Sequence, residues 1–248
     1  MFLQLSTWPE IADYLKTNKG IIVPVGSTEQ HGPTGLIGTD AICPQTIAKG
    51  IADQCGVLIA PTINFGMAQH HLGFPGSISL RPATLMAVIF DVVNSLAVHG
   101  FEKIYFLNGH GGNVATITAA FDSIYAETSF KTEAIFSKIQ CRLHNWWAHR
   151  ELVELSSILH GENEGMHATP AEVALTYFAY PNAVKSATLN PKVAPVGKFR
   201  DANHFRQLFA DGRIGSDPSK ASVETGQRIY EVALACVLKD YLDFIAAD

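Results

Sequence analysis

The chain has 248 residues, 47% hydrophobic and 17% charged, with a formal net charge of −5. That length and apolar content suit one large α/β core. The acidic balance, with no run of Lys or Arg, argues against a nucleic-acid footprint, and no apolar run reaches the roughly 18 residues that a membrane span requires. The opening Met-Phe-Leu-Gln-Leu-Ser-Thr-Trp-Pro-Glu lacks a basic n-region and a long apolar stretch, so a cytoplasmic protein without a signal peptide is expected. The charged fraction, below the usual quarter, points to surface buried between subunits.

Taken in chain order, residues 20–26 (Gly-Ile-Ile-Val-Pro-Val-Gly) form a short apolar run between glycines, which predicts a buried parallel strand. A short amphipathic helix is expected over 44–54 and a second strand over 57–60. The clearest helix is 82–98, where Leu85, Val88, Ile89, Val92, Val93 and Leu96 keep a 3.6-residue period. Pro82 fits its first turn, Gly100 its stop, and His99 its C-terminal dipole. A third strand is expected over 103–107, followed directly by a helix over 113–126. A fourth strand is placed over 133–139, and helices over 151–159, 169–179 and 219–246. The stretch 181–218 is rich in Pro, Gly, Asn and Asp and too long for an ordinary connection, so it is functional or an oligomer contact.

Strands alternating with helices imply βαβ units and a mostly parallel sheet covered on both faces. The expected fold is therefore α/β, a three-layer αβα sandwich, with residues 1–248 as a single domain. Cys43, Cys55, Cys141 and Cys236 form no C-x-x-C pair and lie in apolar stretches, so buried free thiols are expected.

Three polar clusters carry the chemistry. The first follows the first strand: Gly26-Ser-Thr-Glu29-Gln-His31-Gly, with Asp40 after a glycine-studded loop. Two carboxylates and an imidazole make a hard, oxygen-rich donor set suited to Zn²⁺, Mn²⁺ or Fe²⁺. The second, Asn108-Gly-His110-Gly-Gly-Asn113, ends the third strand, where open α/β sheets place their ligands. Read without the first cluster, it is a tight strand-to-helix turn or an anion turn, though it lacks the spacing of a phosphate loop. The third is His167-Ala-Thr169-Pro170-Ala-Glu172, whose Thr-x-x-Glu is a helix capping box. Glu172 is thus either a cap alone or a metal-proximal carboxylate.

His70 and His71 precede Gly73-Phe-Pro-Gly in a loop that either lines the mouth of the site or carries them as surface groups, not as ligands. His144, Trp146, Trp147 and His149 read as a helix start packing on the core or as a substrate lid. His160 and His204 carry no assignment.

The ordered set Pro-Val-Gly-Ser-Thr-Glu29-Gln-His31-Gly, Asp40, Phe74-Pro-Gly-Ser-Ile-Ser-Leu80, Asn108-Gly-His110-Gly-Gly-Asn113 and His167-x-x-x-x-Glu172 resembles the creatininase family, from about residue 23 to about 181. The tail 212–219 is similar to members as well. The resemblance implies a three-layer αβα fold, a hydrolytic centre of one or two divalent ions (Zn²⁺ first, then Mn²⁺ or Fe²⁺), and a homohexamer built as a trimer of dimers. It implies that Glu29, Asp40 and His110 hold one ion, that His31 and Asp40 hold a second with Asp40 bridging, and that His167 is the catalytic histidine.

Two positions depart from members that open creatinine. Gly112 stands where they carry a metal-binding Glu, and Asn163 where they carry a Trp. The Asn-Gly-His-Gly-Gly-Asn form is closer to relatives acting on formamides or modified peptides. The expected activity is metal-dependent hydrolysis of a non-peptide C–N bond in a small-molecule amide, with metal-activated water as nucleophile and His167 as proton shuttle. Backbone N–H groups of Gly111 and Gly112 would steady the oxyanion. A non-catalytic relative that keeps only the fold, and an anion-binding or nucleotide-binding module, are the rivals.

Overall fold

In a computed structural model describing residues 1–130 and 138–247, four parallel strands form one sheet in the order β2-β1-β3-β4. They are β1 (Gly20–Val25), β2 (Leu58–Ile59), β3 (Lys103–Asn108) and β4 (Gln140–Asn145). The helices are α1 (Trp8–Tyr14), α2 (Thr39–Cys55), α3 (Pro82–Val98), α4 (Val114–Phe130), α5 (Arg150–His160), α6 (Pro170–Ala179), α7 (Ala202–Leu208) and α8 (Val223–Ala246).

The strands alternate their side chains between two cores, as the two-residue period of extended chain requires. Ile22, Tyr105 and Leu107 face Ile47 and Ile51 of α2, Leu175 of α6 and Val237 of α8. Ile21, Val23, Ile104 and Phe106 face Leu85 and Ile89 of α3 and Ile117 and Ile124 of α4. Helices therefore cover both faces, giving three layers. A smaller cluster of Phe74, Phe205, Phe209 and Ile214 anchors the stretch that contains α7. Among the described residues, no helix is long and apolar enough to cross a membrane.

Several expected elements shift. α2 begins at Thr39 and keeps Pro44 inside it, because a proline within the first turns removes only one backbone donor. The missing donor is the one owed to the carbonyl of Asp40. Gly26 and Gly109, at the ends of β1 and β3, close on that same carbonyl, where any Cβ would collide with it. The fourth strand lies at Gln140–Asn145; the expected span 133–137 falls outside the described residues. His144 accordingly ends a strand and is not part of a helix start, and α5 opens at Arg150. α1 and α7 were not expected, since seven residues offer too short a window for periodicity. The four thiols are free as expected, but of these only Cys43 is buried; Cys141 and Cys236 are half-buried, and Cys55 is exposed at the end of α2.

The register aligns Val25 with Asn108 and Asn108 with Asn145. The carboxyl ends of three strands thus share one rim, and the conspicuous motifs lie beyond it.

Candidate metal centre

Each cluster is held in place by its own local chemistry. After β3, Asn108 clamps the turn: its Oδ1 accepts from the His110 N–H at 3.1 Å and its Nδ2 donates to the His110 carbonyl at 2.7 Å. Asn113 ties that turn to the first cluster by donating to the Gly26 carbonyl at 2.9 Å. The two asparagines of the motif are thus the braces of His110. Asp40 stands in the first turn of α2, pinched between Gly26 and Gly109. On the third cluster, Ala168 takes φ +54° between His167 and Thr169. This left-handed residue reverses the chain just before α6, so that His167 and Glu172 reach the same cleft.

The rim gathers Glu29, His31, Asp40, His110 and His167, all nearly buried. His110 Nδ1 lies 3.3 Å from Glu29 Oε2 and 3.2 Å from Asp40 Oδ2. His31 Nε2 lies 3.1 Å from Asp40 Oδ1 and 3.9 Å from Glu172 Oε1. Besides the set Glu29–His31–His167, the donors form two overlapping triads, Glu29–Asp40–His110 and His31–Asp40–Glu172, each with its atoms within 4.8 Å of one another. Asp40 belongs to both, one oxygen facing each side. Yet the buried Glu29 Oε1 and Oε2 and Asp40 Oδ2 have only ring nitrogens beside them and no well-formed hydrogen bond, a costly arrangement unless a metal ion or protonated imidazoles complete it.

The imidazoles are oriented from behind. The Nε2–H of His110 donates to the Met67 carbonyl at 3.0 Å, and the Nδ1–H of His31 donates to the Glu29 carbonyl at 3.1 Å. Each ring therefore turns its other nitrogen to the carboxylates, the usual support of a metal-ligating histidine. Glu172 serves twice. Its Oε1 accepts from the Thr169 N–H at 2.6 Å, closing the capping box, and remains beside His31.

The charges follow from this crowding. Burial alone would depress His31 and His110, but Asp40 and Glu29 outweigh it and hold them up at about 10 and about 9. Those same imidazoles hold Asp40 far below the usual carboxylate range against its burial. Burial pushes Glu172 up to about 7 and raises Glu29, the latter helped by the Asp40 charge. Without a metal, protons on two imidazoles thus supply the positive charge that the carboxylates require.

His71 corrects the sequence reading. It is 1% exposed and lies 3.1 Å from Glu29 Oε1. Gln30 organises it: the side-chain amide donates to the Gly212 carbonyl and to His71 Nδ1, each at 2.9 Å, while the Gln30 carbonyl accepts from His167 Nε2 at 2.8 Å. His167 is left with a free Nδ1, 3.7 Å from Glu29 Oε1, its ring between those of His31 and His71. Burial and those two neighbouring rings push His167 well below the ordinary imidazole range, so it is neutral. The paired histidines after Ala68 carried no spacing signal that could have marked His71. His160 lies away from the triads, bonded through Nδ1 to Glu164 Oε2 at 2.6 Å.

The centre opens into a cavity of about 660 Å³. Asp40, His110, His167 and Glu172 line its floor, and Trp146, Trp147, Leu152, Val153 and Met166 its walls. Trp146 and Trp147 are therefore cavity wall, not only core packing. Among the described residues that line it there is no Lys or Arg. A Cβ on Gly112 would run into the ring of His110 and the Met67 carbonyl. This backbone has no place for a glutamate there, whereas Glu172 Oε1 lies 3.9 Å from His31 Nε2.

Comparison with known proteins agrees with the geometry. A family described as Creatininase: Creatinine amidohydrolase matches residues 4–240. The mycofactocin precursor peptide peptidase of Mycolicibacterium smegmatis is 29% identical over 85% of this chain and 79% of its own. The creatinine amidohydrolase of Pseudomonas putida is 30% identical over 52% of each chain. A crystal structure of creatinine amidohydrolase superposes with a TM-score of 0.83 over 100% of this chain and 98% of that one at 24% identity, which speaks to the fold. Other solved creatininases, each with a TM-score of 0.82, are described as a Zn-Zn type and as an Mn form. A relative named as a peptide peptidase argues against confining the expected bond to non-peptide amides.

Proposed function

This chain belongs to the creatininase family, and from that premise we propose that it is a metal-dependent amidohydrolase, cleaving an amide C–N bond at the rim of its sheet. The observation that carries the reading is the pair of donor triads sharing Asp40, with three buried carboxylate oxygens that lack a well-formed hydrogen bond. Glu29, Asp40 and His110 would hold one divalent ion; His31, Asp40 and Glu172 would hold a second. Zn²⁺ is the first choice for such N/O donors, with Mn²⁺ and Fe²⁺ as alternatives. Bound there, the metal supplies Lewis acidity, polarising the amide carbonyl and making water a competent nucleophile near neutral pH.

The chain's own groups do the rest. Asp40 and Glu29 would hold the metal and orient the attacking water. His167 is neutral, with its proton parked on Nε2 against Gln30, so its Nδ1 takes a proton from the water and returns it to the departing nitrogen. Gly111 and Gly112 line the cavity beside His110, and their N–H groups would steady the oxyanion. The apolar walls exclude water and suit an uncharged substituent on the substrate. The volume exceeds what a small cyclic amide such as creatinine fills, and peptide amides fall within the proposed range. The low charged fraction and exposed apolar residues such as Ile158 and Val196 support assembly into a homo-oligomer, proposed here as the hexamer implied by the family resemblance.

The test is hydrolysis of a panel of cyclic amides, formamides and short peptides by metal-stripped protein reloaded with Zn²⁺, Mn²⁺ or Fe²⁺. Turnover should vanish on chelation and return on reloading. His167→Asn should keep its metal and lose roughly 10²–10⁴-fold in kcat, the usual worth of a positioned acid–base group. A panel on which no amide is cleaved by any metal form would leave the non-catalytic rival standing.

A further inference from the structure

A second set of donors lies outside the cavity, at the seam between α5 and α8. His149 is the residue before α5, Glu151 stands in its first turn, and Cys236 is on α8. They offer ligand atoms all within 4.8 Å of one another, with Cys236 Sγ 3.9 Å from Glu151 Oε2. His149 and Cys236 are half-buried and Glu151 is exposed, so an ion can enter from solvent.

The histidine is braced from within. Tyr105 donates to Asp240 Oδ2 at 2.8 Å, His144 Nδ1 lies 3.4 Å from that same oxygen, and His144 Nε2 lies 2.8 Å from His149 Nε2. An Asp–His–His chain fixes the ring of His149 just as a carboxylate or carbonyl fixes the ring of a ligating histidine. Nothing in the hydrolytic reading uses this chain. The Cys236 thiol donates to Glu151 Oε2 in the metal-free protein. A divalent ion between them would take the place of that proton, favouring the thiolate.

We propose that His149, Glu151 and Cys236 form a second, non-catalytic metal site for a thiophilic divalent cation, Zn²⁺ by its donor chemistry. One thiolate, one imidazole and one carboxylate leave a fourth tetrahedral position for water. On binding, Cys236 releases its proton to solvent, and no other bond is made or broken. The site fastens α5 to α8. Trp146, Trp147, Leu152 and Val153, which flank His149 and Glu151 in sequence, form one wall of the substrate cavity. The ion would therefore hold that wall from behind without touching substrate.

Co²⁺ titration of metal-stripped full-length protein tests this, because a cobalt–thiolate bond gives a near-ultraviolet charge-transfer band and neither catalytic triad contains a cysteine. The band should appear in the wild type and persist in His110→Ala and in Cys55→Ser. Cys236→Ser should abolish it, and should bind one Zn²⁺ fewer per chain by elemental analysis while retaining its metal-free melting temperature. His149→Ala should weaken the band's half-saturation by at least about tenfold. Survival of the band in Cys236→Ser, an unchanged zinc count, or half-saturation only at millimolar Co²⁺, which would mark an adventitious ion only, each overturns the proposal. These readouts do not depend on turnover, so they stand or fall apart from the amidohydrolase reading.

Discussion

Glu172 carries two duties that ordinary substitutions confound but chosen ones separate. As the third residue of α6 it completes a capping box with Thr169, and the same carboxylate stands beside His31. Thr169→Ala removes the cap alone and should cost about 1 kcal/mol in unfolding free energy with metal content unchanged. Glu172→Gln keeps a residue that caps well at that position but removes the charge, so metal affinity should drop by more than about 100-fold, beyond the effect typical of an outer-shell change, with little loss of stability. Equal metal affinity in the two variants would reduce Glu172 to a cap. The sequence showed both readings because the capping box is local, whereas nearness to His31 depends on a chain reversal at Ala168. Glu29, His31, Asp40 and His110 were legible for the opposite reason, since donors that follow the ends of β1 and β3 have only one rim to meet on, while His167, just before α6, was marked by the family resemblance. His71 was not legible: what makes it part of the site is Gln30, which reaches back from another loop to fix its tautomer.

Among the elements, the site depends on how closely two strand ends approach one helix. Pro44 leaves the Asp40 carbonyl without its helical donor, and Gly26 and Gly109 approach that carbonyl so closely that a Cβ on either would collide with it. Gly109→Ala should therefore push the first turn of α2 away from β3. Overpacking of this kind costs about 1–3 kcal/mol, and Asp40 would move with the turn, so melting temperature and metal affinity should fall together. A variant that lost stability but bound metal normally would show that Asp40 is not held by this pinch. Gly112→Glu makes a related point. Its Cβ would meet His110 and the Met67 carbonyl, so it should lower metal content instead of adding a ligand. The strands and long helices were readable from apolar runs and periodicity, because both cores rest on them. The start of α2 was hidden by reading Pro44 as a boundary, and β4 by a polar sequence, Gln-Cys-Arg-Leu-His-Asn, whose six residues are all only half-buried. The stretch 181–218 has no period to read; it is pinned by the buried Arg213, which donates to the carbonyls of Pro191, Lys192 and Ser216.

At the scale of the whole molecule, the donors come from residues 29, 31, 40, 110 and 172, so an ion bound among them ties together loops that follow β1 and β3 and the start of α6. Binding only the folded chain, metal must raise global stability by mass action, and the gain must depend on pH. In the metal-free protein His31 and His110 are held up at about 10 and about 9, above the ordinary imidazole value, with burial opposing and the carboxylates prevailing. Raised values mean that the protonated pair stabilises the metal-free fold fully below about pH 6.5 and that this contribution is lost as pH rises through 9 to 10. Metal requires both rings deprotonated, so its uptake expels protons throughout that window. Metal affinity, measured by chelator competition from pH 6 to 9, should climb by more than about one decade per pH unit. The melting temperature of the metal-free form should decline over the upper part of this range while that of the loaded form holds. A flat affinity profile would mean that the imidazoles meet the ion already neutral, and the protons could not then be the stand-ins for it that the buried carboxylates require.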